Sequence, residues 1–319
     1  QKYKNFVYEQ PFKQAFYFRN LLLEGKKYSI MEYEKEINQI KLNHLEEFLE
    51  KLFKNIFIEG LAYGNLNPKN VTKTINELSK NLGIMPLAKT KYFTNTVRQI
   101  SSGNSHTFVR KMLGDNSAVL IEFQMGQNNP KLLAKLMIIE VLLKAEFYNN
   151  IRTKKQLGYI VDSSMTNIDD TLGLMFLIQS NDKNSETLKQ SVDVFLGNFY
   201  FFLKDISNFE INKVKKSIIS SKLQKTITIN AEANRIFNII FDRKAEFDIN
   251  SAELKALEKI NHKDLLQFYG KYLLPSSQRK LILRMMSKKN DHSELLEEDF
   301  ITIENFKEKY ECPSQCLPQ

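Results

Sequence analysis

The stretch FYNNIRTKKQLGYIV, residues 147–161, leads from an apolar helix through a turn into a strand. Its first residues continue a helical spacing of apolar side chains, residues 152–156 are basic and polar, and residues 157–161 form a short apolar run typical of a strand. Arg152 therefore lies at a helix end and Tyr159 in the middle of a strand. Both side chains donate hydrogen bonds, and the arginine carries a permanent charge. The stretch thus predicts a helix-to-strand junction with two polar donors.

One long helix is predicted upstream of this junction. Asn129 followed by Pro130 is typical of a helix start. The residues that follow place apolar side chains three and four positions apart, in one continuous stripe made up of Leu132, Leu136, Ile139, Leu143, Phe147 and Ile151. Such a stripe indicates a helix that packs on a core along its whole length.

A pair of strands is predicted downstream of the junction, over residues 156–163 and 172–179. The second strand contains LGLMFLIQ and is apolar on both faces. Side chains that are apolar on both faces are typical of a central strand that is covered on both sides. The pair therefore predicts that residues 172–179 lie inside a sheet rather than at its edge.

Residues 97–125 show the period of two that is typical of strands. Three strands are predicted over 97–101, 106–112 and 118–125, and residues 114–116, Gly-Asp-Asn, predict a hairpin turn between the last two. In the third strand, one face carries Val119, Ile121, Phe123 and Met125, and the other carries Glu122 and Gln124.

Helices dominate the chain after residue 184. The sequence predicts a helix from 184, a helix to residue 224 that a capping box of Ser207 and Glu210 opens, helices over 231–244 and 263–273, and a last strand over 279–286. The order β-β-β-α-β-β-α-α-α-α-β describes an α+β domain over residues 92–288. Its sheet is expected to be mixed and mainly antiparallel, with helices packed on one side.

The first 88 residues are predicted to be mainly helical. Ser29 and Glu32 form another capping-box pattern, and a later run has apolar residues at helical spacing, namely Leu42, Leu45, Leu49, Leu52 and Phe53. Residues 55–63 are predicted to form a strand and residues 67–82 a helix. Residues 83–91 contain Gly and Pro without periodic apolar residues, which predicts a linker.

Composition bounds the class of protein. The chain has 319 residues, of which 42% are hydrophobic and 26% charged, as in a soluble globular protein of two ordinary domains. No run of 18 apolar residues occurs, so no association with a membrane is expected. The net charge of +9 could attract anions. The lysines are scattered, however, and no interleaving of basic and aromatic residues of the kind that binds single strands stands out, so nucleic acid is not an expected partner.

The cysteines and the first residue bear on the compartment. Only Cys312 and Cys316 occur, both near the end of the sequence, which argues against a disulfide-built fold and is compatible with the cytoplasm. The sequence starts at Gln1 rather than Met. We therefore expect a piece of a larger protein, and its targeting stays open.

The junction resembles the strongest signature in the C-terminal half of the insulysin (insulin-degrading enzyme) family of zinc peptidases. That signature reads RT-x-x-QLGYIV, and the matching residues are Arg152, Thr153, Gln156, Leu157, Gly158, Tyr159, Ile160 and Val161. The segment NIFIEGLAYGNL, residues 55–66, resembles the last strand of the family's third domain. The resemblance implies two insulysin-type domains: the end of the third over 1–88 and a complete fourth over 92–288. Residues 289–319 would then be a C-terminal extension.

Members of that family carry H-x-x-E-H on a helix, which supplies two zinc ligands and a general base. This sequence has four histidines, His44, His106, His262 and His292, and the nearest approach, H-L-E-E-F from His44, lacks the second histidine. One histidine beside two glutamates is typical of a solvated helix face. Cys312 and Cys316 could supply at most two ligands and are interpreted as free thiols. No metal site is therefore predicted here, and the resemblance implies that the N-terminal half of the protein binds the zinc.

The candidate site residues also have structural interpretations. Tyr159 could simply pack on a sheet, and Arg152 could stabilise a helix C-terminus; sequence spacing alone favours neither role. The resemblance implies that both residues contact backbone carbonyls of the substrate. It also makes Tyr159 catalytic, since its phenol would stabilise the oxyanion that develops as water attacks. Gly158 is the third candidate substrate-binding residue, because a glycine allows close approach of the substrate or of neighbouring backbone.

The resemblance thus implies the substrate-binding half of a zinc metalloendopeptidase that degrades peptides in a closed chamber and is inactive by itself. The implied partners are peptide substrates, the N-terminal half of the same protein and a second copy in a homodimer. The alternative is a catalytically inactive relative that serves as a peptide-binding or structural subunit. An intact or a degraded H-x-x-E-H motif upstream would separate these two hypotheses.

Overall fold

The computed structural model describes residues 3–52, 54, 56–85, 96–241, 249–275, 277–291 and 300–310. The chain divides into two compact units. One, here called the sheet unit, comprises Gln1–Tyr28, Asn95–Leu223 and Asn250–Pro313; the other, the helical unit, comprises Ser29–Thr94, Gln224–Ile249 and Ser314–Gln319. The predicted linker over 83–91 and the predicted extension over 289–319 lie in large part outside the described residues, as do His292, Cys312 and Cys316.

A five-stranded sheet forms the centre of the sheet unit. Its strands are β1 (Ser105–Lys111), β2 (Ser117–Gln127), β3 (Ile160–Ile168), β4 (Thr171–Ser180) and β5 (Lys280–Met286). They lie side by side in the order β1-β5-β2-β4-β3. Only the β1–β5 pair is parallel, and the other three pairs are antiparallel. This confirms the predicted α+β fold with a mixed, mainly antiparallel sheet. It also confirms β4 as a central strand, and every residue of β4 is buried.

The predicted hairpin between β1 and β2 is wrong, because β5 lies between these strands. Phe108 of β1 is opposite Leu283, which is also opposite Leu120 of β2. Residues 114–116 do reverse the chain, but the connection passes over the end of β5. Gly114 O accepts a hydrogen bond from Lys288 N, just after β5, at 3.1 Å. The turn residues thus fix a reversal without fixing which strand becomes the neighbour.

Two other predicted strands are also wrong. Within 97–101 only Val97 makes a bridge, to Glu24. In the described part of 55–63, residue 56 forms a single bridge and residues 57–63 have no regular structure. Alternating apolar residues need a neighbouring strand to complete their backbone hydrogen bonds, and no strand of the sheet runs beside either segment among the described residues.

Eleven α-helices occur in the described residues: α1 (Pro11–Leu23), α2 (Ile30–Ile37), α3 (Leu42–Leu52), α4 (Pro68–Asn81), α5 (Pro130–Tyr148), α6 (Ser185–Asp205), α7 (Asn208–Leu223), α8 (Ile229–Phe241), α9 (Ile249–Lys259), α10 (His262–Tyr272) and α11 (Ile303–Lys309). The capping box of Ser29 and Glu32 is present at α2. Asn129 caps α5 by accepting a hydrogen bond from Leu132 N at 3.0 Å. Helix α9, short and with little apolar periodicity, was not predicted.

The sheet is covered on both faces. Helices α5, α6 and α10 pack on one face, where the predicted stripe of α5 is buried against Ile121 and Phe123. The segment α1, which the sequence placed in the first domain, covers the opposite face together with α11, over Ala118 and Leu120. Within the predicted domain 92–288, the helices that pack on the sheet therefore lie on one side, and residues before and after it cover the other.

The helical unit contains α2, α3, α4 and α8, whose described residues include no buried one. Large apolar side chains on their amphipathic faces are exposed, among them Leu42, Leu45, Phe48, Leu49, Ile75, Leu78, Phe237 and Phe241. The apolar spacing of residues 42–52 thus predicted the helix correctly. It did not indicate a partner for the apolar face.

Candidate functional site

The junction after α5 is a π-helix rather than the predicted turn. Residues Asn149–Lys154 continue α5 with a wider winding, and Lys155 N donates to Asn150 O at 3.1 Å. Single π-helical turns inside helices are rare and occur frequently at functional sites. Ile151 stays fully buried, so the extra turn keeps the apolar stripe in the core and turns Arg152 outward. The chain then reverses at Gln156, which has a left-handed φ of 50°.

Tyr159 precedes β3 by one residue, so its predicted place in the middle of a strand is wrong. Strand β3 begins at Ile160, although Tyr159 N already donates to Gln179 O of β4 at 2.9 Å. Gly158 explains the late start. A Cβ atom there would lie 2.6 Å from Gln179 O and 2.7 Å from Ile178 Cγ2, so the chain can approach β4 this closely only with glycine. The neighbouring backbone therefore accounts for Gly158, and its contact with substrate stays a prediction.

Arg152 is tied to the segment that carries Tyr159. Its Nη1 donates to Gly158 O at 2.9 Å, across the reversal at Gln156. A guanidinium group has five N–H donors, and the side chain of Arg152 is exposed. The bond to Gly158 thus holds the π-helix against the strand entry and leaves donors that face outward. The structure brings the three predicted site residues, Arg152, Gly158 and Tyr159, together in one corner of the sheet unit.

The hydroxyl of Tyr159 has a buried polar partner that the sequence did not predict. Gln179 of β4 is fully buried, and its Nε2 donates to Tyr159 Oη and to Gln10 Oε1 at 3.0 Å. Its Oε1 accepts from Phe12 N at 2.9 Å. Tyr159 itself is 43% exposed. The signal that could have found Gln179 is its place in LGLMFLIQ, where one amide ends an otherwise apolar strand.

A second polar group lies in the sheet, on the face that α1 covers. Glu122 of β2 is fully buried and accepts hydrogen bonds from Thr166 and, at 3.4 Å, from Arg19 Nη1. Burial raises the pKa of the Glu122 carboxyl, and the charge of Arg19 and the bonds from Thr166 and Arg19 act in the opposite direction. Gly173 of β4 provides the space for this pair, because a Cβ atom there would overlap the Glu122 carboxylate and the Thr166 hydroxyl.

The histidines do not form a metal site in the part of the chain that the structure describes. His44 lies on the exposed face of α3, His106 is 2.6 Å from Tyr310 Oη, and His262 is 2.6 Å from Leu203 O. Burial, and then the charge of Lys309, lowers the pKa of His106. Among the described residues, no three His, Cys, Asp or Glu side chains cluster as metal ligands do. The described residues therefore do not fit a zinc ion.

The comparisons with known proteins point to one group. A family model described as "PQQ synthase PqqF-like, C-terminal lobe domain 4" matches residues 138–237, which include the π-helix, β3 and β4. "Insulin-degrading enzyme-like 1, peroxisomal" of Arabidopsis thaliana is 23% identical over 301 residues, which are 92% of this chain and 31% of that protein. "Insulin-degrading enzyme" of Homo sapiens is 24% identical over 286 residues, 86% of this chain and 28% of that protein.

Solved structures show the same fold. The crystal structure of pitrilysin superposes with a TM-score of 0.86 at 20% identity, over 98% of this chain and 33% of that chain. A crystal structure described as "peptidase M16 inactive domain from Pseudomonas fluorescens" superposes with a TM-score of 0.52 at 14% identity, over 73% of this chain and 54% of that chain. The chain spans about a third of the length of its curated relatives and of pitrilysin.

The fold is that of an insulinase/pitrilysin-type (M16) peptidase. More narrowly, residues 138–237 match the model of a C-terminal lobe domain, and most of the chain is similar to about a third of insulin-degrading enzymes and of pitrilysin. The resemblance carried by residues 152–161 is thereby confirmed. Within the described residues no helix has the length and apolar content to cross a membrane.

Proposed function

We propose that the chain is the substrate-binding C-terminal half of an insulysin-like zinc metalloendopeptidase that degrades peptides in a closed chamber. The observation that carries this proposal is the corner where Arg152 and Tyr159 are both exposed beside the buried Gly158. The bond between Arg152 and Gly158 and the bond between Tyr159 and Gln179 hold both side chains against the sheet. Preorganised donors are what the binding of a peptide backbone and the stabilisation of a developing charge require.

Each residue has a defined task in this proposal. The O–H of Tyr159 donates to the scissile carbonyl oxygen, and this hydrogen bond strengthens as negative charge develops there. The outward N–H groups of Arg152 donate to another backbone carbonyl of the peptide and hold it in place. Gly158 keeps the two donors at one corner and lets the substrate approach. Because these residues do not fit a zinc ion, the metal and the general base would come from the N-terminal half.

The proposed partners follow from the same division of labour. They are peptide substrates, the N-terminal half of the protein and a second copy in a homodimer. The exposed apolar faces of α3 and α4 in the helical unit are consistent with a larger protein that covers them. The tasks assigned to Arg152 and Tyr159 need neither nucleic acid nor a membrane. We propose a cytoplasmic location, with which a sequence of only two cysteines is compatible.

The experiment compares this chain with the intact protein. Purified residues 1–319 should bind no stoichiometric zinc and cleave no peptide, while the intact protein should cleave a quenched fluorogenic peptide and lose this activity with a chelator. Elemental analysis and the cleavage rate give the two results. One tightly bound zinc per chain, or chelator-sensitive cleavage by residues 1–319, would overturn the proposed division between the halves.

The second candidate is a catalytically inactive relative that serves as a peptide-binding or structural subunit. The Pseudomonas fluorescens structure is described as an inactive domain and has a similar fold. A domain with this fold can therefore lack catalytic activity, and this supports the second candidate. An intact protein that binds peptides but leaves them uncut, and whose upstream H-x-x-E-H motif is degraded, would favour this candidate.

A further inference from the structure

The side chain of Gln179 makes three hydrogen bonds, and together they use all its amide groups. Nε2 has two hydrogens, and it donates to Tyr159 Oη and to Gln10 Oε1 at 3.0 Å. Oε1 accepts from Phe12 N at 2.9 Å. A fully buried amide with all its donors satisfied has a single favourable orientation. Gln179 is therefore a fixed point to which the hydroxyl of Tyr159 is attached.

The backbone of α1 decides which end of the amide faces Tyr159. Phe12 N can only donate, so the oxygen of Gln179 must face it. The NH2 group must then face Tyr159. The opposite orientation would place NH2 against Phe12 N–H and bury two donors face to face, which is costly. The direction of the bond at Tyr159 thus follows from a backbone group that cannot change its role.

The direction of this bond determines what the phenol can do. Because Tyr159 Oη accepts from Gln179, its own hydrogen stays available to donate. No acceptor for that hydrogen occurs among the contacts of the described residues, and the side chain is 43% exposed, so the hydrogen can point to the outside. A hydroxyl that accepts one hydrogen bond also becomes a stronger donor in the next.

We propose that Gln179 is a positioning residue that keeps the O–H of Tyr159 directed at the substrate carbonyl. The start of α1 holds this amide in turn, through Phe12 N and through Gln10, the residue that precedes the helix. This inference rests on the proposed function, since it needs Tyr159 to donate to a peptide. It adds two elements that no resemblance supplied: a buried amide on β4 and a helix start whose Phe12 lies 167 residues upstream of that amide in the sequence.

The test substitutes Gln179→Glu in the intact protein. The side chains have nearly the same shape, and one carboxylate oxygen still accepts from Phe12 N. An ionised carboxylate also accepts from Tyr159, which turns the phenol hydrogen inward. We expect kcat/KM for a fluorogenic peptide to fall about 10- to 100-fold, mainly in kcat. Because only the ionised form does this, the ratio of variant to wild-type kcat/KM should decrease as pH rises.

Gln124→Glu is the matched control. Gln124 of β2 is equally buried, its Oε1 accepts from Ile100 N at 2.8 Å, and its Nε2 donates to Arg98 O at 2.9 Å. It makes no contact with Tyr159. We expect a comparable loss of thermal stability and a wild-type kcat/KM with no added pH dependence. Gln179→Met, which removes the donor without supplying an acceptor, should lower kcat/KM at every pH and serves if Gln179→Glu does not fold.

Tyr159→Phe separates the failure of the inference from the failure of the proposed function. In a Tyr159→Phe background, Gln179→Glu should lower kcat/KM no further, because the hydroxyl through which it acts is gone. If Tyr159→Phe impairs cleavage but Gln179→Glu behaves like Gln124→Glu, the positioning role of Gln179 is overturned alone. If Tyr159→Phe cleaves like the wild type, or the intact protein cleaves nothing, the proposed function fails and the inference with it.

Discussion

The sheet unit and the helical unit use their apolar residues in opposite ways. Helix α5 buries Leu136, Leu143 and Phe147 completely against the sheet, whereas α3 has the same kind of spacing and leaves Phe48 57% exposed. Both stretches predict a helix equally well from sequence. The difference shows that periodicity specifies the helix and its apolar face, while the rest of the chain determines whether that face is covered.

The largest expected effect is the loss of a buried ring in the sheet unit. Phe147→Ala removes a fully buried side chain that packs edge-on against Phe176 and Phe195. We expect a loss of about 3–5 kcal/mol in the free energy of unfolding. Phe48→Ala on α3 is the control and should change it by about 0.5 kcal/mol or less. Urea unfolding of residues 1–319 measures both, and equal losses would abolish the contrast between the two units.

At the candidate site, in contrast to α3, we expect the loss of an exposed group to lower activity. Tyr159→Phe in the intact protein removes one hydroxyl and keeps the ring, so we expect kcat/KM to fall about 10- to 1000-fold. Arg152→Ala should also lower kcat/KM, with a larger share of the change in KM, because it holds the peptide rather than the developing charge.

Zinc content and thermal stability of the same preparations are the controls for these two variants. Zinc content should be unchanged in both, because neither Tyr159 nor Arg152 is expected to bind zinc. Tyr159→Phe keeps the ring but leaves one Nε2 hydrogen of the buried Gln179 without its acceptor, so we expect it to lose about 1–3 kcal/mol of stability and still to be folded at the assay temperature. Cleavage at the wild-type rate by stable, zinc-loaded Tyr159→Phe would return Tyr159 to a packing role. The exposed hydroxyl of Tyr159 would then contribute no more to function than the exposed ring of Phe48 does.

The smallest effect concerns the carboxyl buried in the sheet. Burial raises the pKa of Glu122 above that of an unfolded glutamate, so the folded state binds its proton more tightly than the unfolded state does. Stability should therefore fall as pH rises from the unfolded pKa through the raised folded pKa. Glu122→Gln should flatten this part of the pH profile. Urea unfolding at several pH values tests it, with Glu59→Gln, exposed in the helical unit, as the control; an unchanged profile would contradict the prediction.

Local signals predicted the elements of the fold better than their partners. The stripe of α5, the capping of α2 by Ser29 and the central place of β4 all followed from short-range patterns, and the structure confirms them. The insertion of β5 between β1 and β2 did not follow, because residues 114–116 specify a chain reversal and carry no information about a strand that arrives far later. The strand predicted over 55–63 failed because its apolar alternation carries no information about a neighbouring strand, and none lies beside it among the described residues.

At the candidate site, too, short-range patterns predicted the residues of one segment but not their contacts with distant parts of the chain. Arg152, Gly158 and Tyr159 were found because they lie in one short segment that resembles a known signature. Gln179 was missed, because it is 20 residues from Tyr159 and 167 residues from Phe12 in the sequence, and no short-range pattern connects residues so far apart. The π-helix was missed because helical spacing of apolar residues looks the same on both sides of a single wide turn.

The parallel β1–β5 pair has a consequence for biosynthesis. Ser105 and its partner Lys280 are 175 residues apart in the sequence, so the sheet cannot close until β5, which ends at Met286, has left the ribosome. Until then β1 and β2 have unpaired edges, and such edges pair readily with other chains. Closing so large a loop is also slow. Strand pairing in this unit should therefore end with the entry of β5, and a chain that stops before residue 280 should aggregate rather than fold.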